Sequence, residues 1–95
     1  MIAFEVYLNG RKLTVAGADD LTVLTAIVGA GGVLGKTTAR TQQSNRTHLD
    51  LNVGGLTGRP DGLEDEHLRW IEFKPLRVGD KVCICIVRTT RPSTS

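Results

Sequence analysis

The sequence predicts a small all-β domain: an antiparallel sandwich or partly open barrel of about six strands, built mostly from consecutive hairpins. Three observations carry that expectation. Apolar residues alternate with polar ones at a period of two in several short runs. Asn9-Gly10 and Gly79-Asp80 stand between such runs as turn signals. One run, residues 20–28, offers a helical stripe, and the alternative it opens is a small α+β domain.

The first hairpin is the clearest element. Ile2, Phe4, Val6 and Leu8 alternate with Ala3, Glu5 and Tyr7, and Asn9-Gly10 follows. Both turn residues tolerate the positive φ of a type I′ turn. A two-residue turn pairs Leu8 with Arg11, Val6 with Leu13 and Phe4 with Val15, which puts the apolar positions of both strands on one face. A slip of one residue would instead oppose Val6 to Thr14.

The run Leu21 to Val28 is ambiguous. Leu21, Leu24 and Val28 would stripe a helix capped by Asp19 or Asp20. Its Thr, Val and Ile side chains are stiff at χ1, and both alternating faces are apolar, so a strand is preferred. Residues 29–46 are rich in Gly, Thr, Gln, Ser, Asn and Arg and read as a long mobile loop. Thr47, Leu49, Leu51 and Val53 form an amphipathic strand that Gly54-Gly55 ends or bulges. After a second loop, 57–66, His67 to Phe73 reads as a strand or one to two helical turns, limited by Pro75. Leu76 to Val82 reads as a strand, a turn at Gly79-Asp80 and a return strand. There Val82, Ile84 and Ile86 share one face, and Cys83, Cys85 and Val87 the other. Residues 1–88 are one domain, and 89–95 a fraying tail. The expected core is Phe4, Val6, Leu13, Val15, Val23, Ile27, Leu49, Leu51, Val53, Leu68, Trp70, Val78, Val82, Ile84 and Ile86.

Composition narrows the function classes. A chain of 95 residues is one domain's worth and too short for a barrel or dinucleotide-binding enzyme. Its formal charge of +2 and its four aromatic residues (one Trp, one Tyr, two Phe) give neither a strong basic field nor a stacking platform, so nucleic acid is not an expected partner. Lys36, Arg40 and Arg46 make a polar basic stretch, and Asp61, Glu64, Asp65 and Glu66 an acidic one; both read as solvated loops. No apolar run is long enough for a membrane span, and no signal peptide is visible. Cys83 and Cys85 lie on one side of a strand, too far apart for an unstrained disulfide, and are expected as reduced, buried thiols. A cytoplasmic domain is the expectation that follows.

Two motifs invite chemistry. Ala30 to Thr37 (Ala-Gly-Gly-Val-Leu-Gly-Lys-Thr) fits a relaxed phosphate loop, with Gly35, Lys36 and Thr37 as the binding residues. A true phosphate loop opens a helix packed on a parallel sheet, whereas Thr38 to Arg46 contain one apolar side chain, Ala39, and offer no face to bury. Cys83, Cys85, His48 and His67 could together hold zinc, but their spacing matches no zinc pattern, so no metal or other cofactor is assigned. Candidate nucleophiles stand at no strand-to-helix elbow, and no catalytic residue is assigned. His67, Arg69 and Trp70 form a candidate interaction surface, with Trp70 either its anchor or part of the core.

Gly54-Gly55-Leu56, His67-Leu68-Arg69-Trp70 and the closing Leu76 to Val87 pattern (Leu-x-Val-Gly-Asp-x-Val-x-Ile-x-Ile-Val) resemble a set of small uncharacterised bacterial proteins. The N-terminal hairpin is similar too, whereas the 29–46 loop lies outside the resemblance. The resemblance implies one shared fold and polar residues at the positions of Cys83 and Cys85; it carries no activity.

The function expected from these readings is a non-enzymatic protein-interaction module, with a homodimer as one form. The apolar strand Val82–Val87 motivates it, because a small β domain has edges that must be covered or paired. The alternative is a phosphate- or nucleotide-binding protein that uses the 30–37 loop.

Overall fold

The computed structural model describes residues 1–36, 47–59 and 64–90. They form six strands: β1 (Ile2–Leu8), β2 (Arg11–Ala16), β3 (Leu21–Gly31), β4 (His48–Thr57), β5 (His67–Pro75) and β6 (Val82–Arg88). Two three-stranded antiparallel sheets, β2-β1-β6 and β3-β4-β5, make a small all-β sandwich. The molecule is a slab of 48 × 34 × 18 Å, a thickness that suits two sheets stacked about 10 Å apart. Among the described residues there is no helix, so the α+β alternative is set aside. Residues 20–28 are strand because the stiff side chains of Thr22, Val23, Thr25, Ile27 and Val28 fit a pleated surface and β4 supplies a ladder along the whole run. β3 continues to Gly31, so Gly29 to Gly31 belong to the sheet and not to the connecting loop. Residues 37–46 of that loop, 60–63 of the next and 91–95 of the tail lie outside the described residues.

The first hairpin turns as expected but does not keep its register. Asn9 and Gly10 both have positive φ, 52° and 81°, as a type I′ turn requires. Leu8 pairs with Arg11 and Tyr7 with Lys12. A β-bulge at Leu13 then shifts the ladder, so that Val6 faces Thr14 and Phe4 faces Ala16. The extra residue lets Leu13 and Ala16 both reach the core, and it turns Val15 to the outer face opposite Glu5. It also buries Thr14, whose Oγ1 has no hydrogen-bond partner.

Val6 and Ala16 of the first sheet meet Leu51 and Val53 of the second, and these four are fully buried. Phe4, Leu13, Leu24, Ala26, Trp70, Ile71, Leu76, Val82 and Ile84 pack around them. Four expected core residues are exposed: Val23 at 46%, Ile27 at 56%, Val78 at 93% and Ile86 at 72%. In β3 the faces are reversed from the expectation. Leu24 and Ala26 lie opposite Gly55 and Val53 and point inward, while Val23 and Ile27 lie opposite Leu56 and Asn52 and point outward. Val78 is part of a turn: Asp80 N–H donates to Arg77 O at 3.0 Å and Arg77 N–H to Asp80 Oδ2 at 2.8 Å. The strand expected before that turn is therefore absent.

The second sheet is a meander with an irregular outer edge. β5 is bulged twice against β4. One bulge brings Trp70 and Ile71 both onto the core. The other holds Phe73 at φ 47°, a left-handed conformation costly for a bulky side chain, with its N–H donated to Asn52 Oδ1 at 2.9 Å. Gly55 is required in β4, since a Cβ there would lie 2.6 Å from Val23 O. Beyond Thr57 the chain is clasped by Arg59. Its Nε meets Asp20 Oδ2 at 3.1 Å and its Nη1 meets Glu66 Oε1 at 2.8 Å. Its N–H donates to Asp65 Oδ1 at 2.9 Å. Asp65 and Glu66 of the acidic run thus serve a loop-to-loop tie with Asp20, and the hydrogen bonds to Glu66 and Asp20 raise the Arg59 pKa.

Asn9 links the two turn signals. Its Nδ2 donates to Asp80 Oδ1 at 3.0 Å and its Oδ1 accepts from Lys81 N–H at 2.9 Å, which fixes β6 beside β1. The bond from Asn9, together with that from Arg77 N–H, lowers the Asp80 pKa below its ordinary 3.8. A carboxyl with a depressed folded pKa adds stability above its unfolded pKa and loses it as pH falls through the folded value.

Two outcomes are expected. Thr14→Val, which replaces an unpaired buried hydroxyl by a methyl, stabilises the fold by about 1 kcal/mol in urea unfolding; a destabilised variant would mean that the hydroxyl has a partner in solution. In thermal melts the wild type loses stability as pH falls below about 4, and Asp80→Asn flattens that loss; an unchanged slope would remove the role assigned to Asp80.

Candidate interaction surface

The residues singled out in the sequence fall in three separate places. Gly31 ends β3, Gly35 and Lys36 lie in the exposed segment that follows, and Thr37 lies outside the described residues. Residues 32–36 form a bend and a turn. His67 and Arg69 lie on the outer face of the second sheet, and a Cβ at Gly54 would lie 3.7 Å from His67 Nε2 and 3.9 Å from Arg69 Cγ. Together with Thr25, Ile27, Glu72 and Phe73 they line a shallow hollow of about 210 Å³. Arg69 Nη1 is paired with Glu72 Oε1 at 2.6 Å. Trp70 is on the opposite side, half-buried against the core, so the structure brings two of these three residues together and separates the third.

The cysteines depart most from expectation. They are free, Cys83 is exposed and Cys85 half-buried, and the two Sγ atoms lie 3.8 Å apart on the outer face of β6. Val82 and Ile84 take the core side of β6, so alternation turns Cys83 and Cys85 away from the second sheet. Around them stand Tyr7, opposite Cys83, and Glu5, opposite Cys85. Tyr7 Oη donates to Glu5 Oε1 at 3.2 Å, and Lys12 Nζ pairs with Glu5 Oε2 at 3.3 Å. Bonding to Cys83 is the largest influence on the Cys85 thiol and pushes its pKa up, with desolvation and then the charges of Cys83 and Glu5 adding to the shift. His48 and His67 belong to the other sheet. Among the described residues no three His, Cys, Asp or Glu side chains are grouped to hold a metal.

The four sheet edges differ in kind. β2 carries Arg11, Lys12 and a bulge. β5 carries two bulges, the strained Phe73, four charged or histidine side chains (His67, Arg69, Glu72, Lys74) and Pro75. These features prevent a foreign strand from pairing. Leu13 of β2 and Lys74 of β5 line one hollow, so the two guarded edges come together on one side of the sandwich. On the other side Val82 of β6 and Val28 of β3 line a common cleft. There, neither Leu21–Gly31 nor the stretch from Val82 to Val87 contains a charged residue or proline. Val28 is 58% exposed although it faces inward opposite Leu51, and Ile86 faces inward opposite Phe4 and is as open.

The edge groups of β6 can be assigned by parity. Met1 and Thr89 exchange hydrogen bonds of 2.9 Å in both directions, and Asn9 N–H donates to Lys81 O at 2.8 Å. Bonding alternates along an antiparallel ladder, so Cys83, Cys85 and Val87 also bond to β1. The N–H and C=O groups of Val82, Ile84 and Ile86 therefore point away from β1, along the free edge. Among the described residues no strand pairs with that edge.

No protein-family model, no curated protein and no solved structure matches this chain. No helix among the described residues is long and apolar enough to cross a membrane.

The thiol pair allows one direct check. Alkylation of Cys85 by iodoacetamide, followed by mass spectrometry across a pH series, is expected to show a midpoint above that of an ordinary cysteine. Cys83→Ala, which removes the neighbouring sulfur, is expected to bring it down. A Cys85 midpoint at or below the ordinary range in the wild type would mean that the two thiols do not interact.

Proposed function

We propose that this protein is a non-enzymatic interaction module that acts by pairing the free edge of β6, and that it self-associates as a homodimer. The observation that supports this reading most directly is the contrast between edges. β2 and β5 are blunted by bulges and charge, whereas the flank of β6 and β3 is uncharged from Val82 to Val87 and from Leu21 to Gly31 and leaves Ile86 and Val28 more than half exposed. A long, flat, apolar edge is a hazard in a monomer and a docking site in an assembly. The same contrast argues against the outer hollow of His67 and Arg69 as the principal surface, since its walls include an ion pair that is already satisfied within the chain. The cytoplasm, where thiols remain reduced, suits the free cysteines.

Sedimentation equilibrium at micromolar concentration under reducing conditions is the test. A dimer is expected, and Ile86→Lys is expected to raise its dissociation constant at least tenfold while leaving the melting temperature of the dilute monomer unchanged. Phe73→Ser, on the other sheet, is expected to leave the dimer intact. A monomeric wild type overturns the self-association reading, and loss of the dimer in Phe73→Ser alone moves the interface to the second sheet.

A further inference from the structure

Resting on the self-association reading, we infer that two copies pair β6 antiparallel about a two-fold axis at Ile84, and that this register makes Cys83 of each copy the disulfide partner of Cys85 in the other. The register follows from the strand itself. An axis at Ile84 pairs Val82 with the partner's Ile86, Cys83 with the partner's Cys85, and Ile84 with its own counterpart. Apolar residues then meet apolar residues, and thiols meet thiols. At each end it sets Arg88 opposite the partner's Asp80, a carboxylate that its own hydrogen bonds hold ionised. An axis at Cys85 would instead set Arg88 against the partner's Val82, and an axis at Cys83 would set Ile86 against the partner's Asp80. Both place a charge beside an apolar side chain, so charge complementarity selects Ile84.

Backbone parity makes the thiol pairing chemically competent. The outward N–H and C=O groups belong to Val82, Ile84 and Ile86, so these residues form the hydrogen-bonded pairs of the new ladder. Cys83 and the partner's Cys85 then fall in the non-hydrogen-bonded pairs, where Cα atoms stand about 4.5 Å apart and side chains are closest. A disulfide spans Cα separations of about 4.4–6.8 Å. Within one chain the two cysteines are separated by two residues of extended strand, about 6.5–7 Å between Cα atoms, at or beyond the upper limit of that span. The exposed face of β6 therefore closes more readily between copies than within one.

The oxidant is a low-molecular-mass disulfide such as oxidised glutathione. The Cys83 thiolate attacks one of its sulfurs, forming a mixed disulfide and expelling one glutathione thiolate. The partner's Cys85 thiolate then attacks the Cys83 sulfur and expels the second. Each bridge consumes two protein thiols and one small disulfide and yields one protein disulfide and two small thiols. The symmetric dimer forms two bridges, and a reducing thiol buffer reverses both.

The test uses oxidised glutathione, non-reducing electrophoresis and peptide mass spectrometry on the full chain, with Cys83→Ser and Cys85→Ser as single variants of an exposed face. The wild type is expected to give a covalent dimer with a Cys83–Cys85 bridge. Each single variant is expected to give none alone, and an equimolar mixture of the two to give the heterodimer with one bridge. A covalent dimer from Cys83→Ser alone would place the axis at Cys85, and one from Cys85→Ser alone would place it at Cys83; either overturns the register while leaving self-association intact. Loss of both wild-type thiols without a covalent dimer, whether by closure within one chain or as two mixed disulfides with glutathione, which peptide masses tell apart, would overturn the inference. A monomer in reducing sedimentation together with no covalent dimer overturns both readings.

Discussion

Val6 and Ala16 against Leu51 and Val53 are the contact on which the two sheets depend. A core this thin sets limits on everything else in the molecule. The central strands β1 and β4, flanked on both sides, supply three of these four side chains, Val6, Leu51 and Val53. Of the outer strands only β2 sends a fully buried side chain, Ala16; the others pack partly exposed side chains around the centre. Small domains bury a smaller share of their surface than large ones, and here the deficit is concentrated at the strands farthest from the four-residue centre. The supporting ties are accordingly polar and peripheral. Asn9 locks the first hairpin to β6, and Arg59 locks the loop after β4 to Asp20 and Glu66.

The same limit explains two of the bulges. At Leu13 a bulge adds a second apolar side chain to the core from a six-residue strand, at the expense of an unsatisfied Thr14 hydroxyl. In β5 a bulge adds Ile71 to Trp70. Each enlarges the core beyond what strict alternation supplies, and each also bends an edge away from regular pairing. The strain at Phe73, stabilised by Asn52, belongs to the same device.

Fold class, strand number and the first turn were legible because they rest on period and turn chemistry, which are local. Asn9-Gly10 could be read directly as a type I′ turn. The register beyond it could not, because a bulge carries no fixed sequence signal when neither bulge residue is glycine. Pattern reading supported Val6 opposite Leu13, and the bulge produced the one-residue slip to Thr14. β3 was legible as an element but not in its orientation. Val23, Ile27, Leu24 and Val28 make both faces apolar, so period two does not decide which is inside; pairing with Leu51 and Val53 does. His67 and Arg69 share the outer face by strict alternation, and the same period sets Trp70 on the inner one; what the pattern does not show is the bulge that brings Ile71 inward beside it. The cysteines were misjudged for a different reason. An apolar run with two thiols reads as a buried central strand, and only the sheet order shows that β6 is an edge.

That misreading points to the logic of the strand. Val82 to Val87 has the composition of a central strand at an edge position, while β2 and β5 have edge composition at edge positions. Consistency between local composition and global place is the rule in foldable sequences, and departures concentrate where function is. Pairing β6 with a second copy would remove the inconsistency. It would make the β2-β1-β6 sheet of each copy half of a six-stranded one, make β6 central, and give the outward N–H and C=O groups of Val82, Ile84 and Ile86 their partners. The exposed Ile86 would gain a cross-strand apolar neighbour. The thin core that cannot hold β6 on both sides thus accounts for the free edge, and the composition of that edge is what a second copy of the same strand would match.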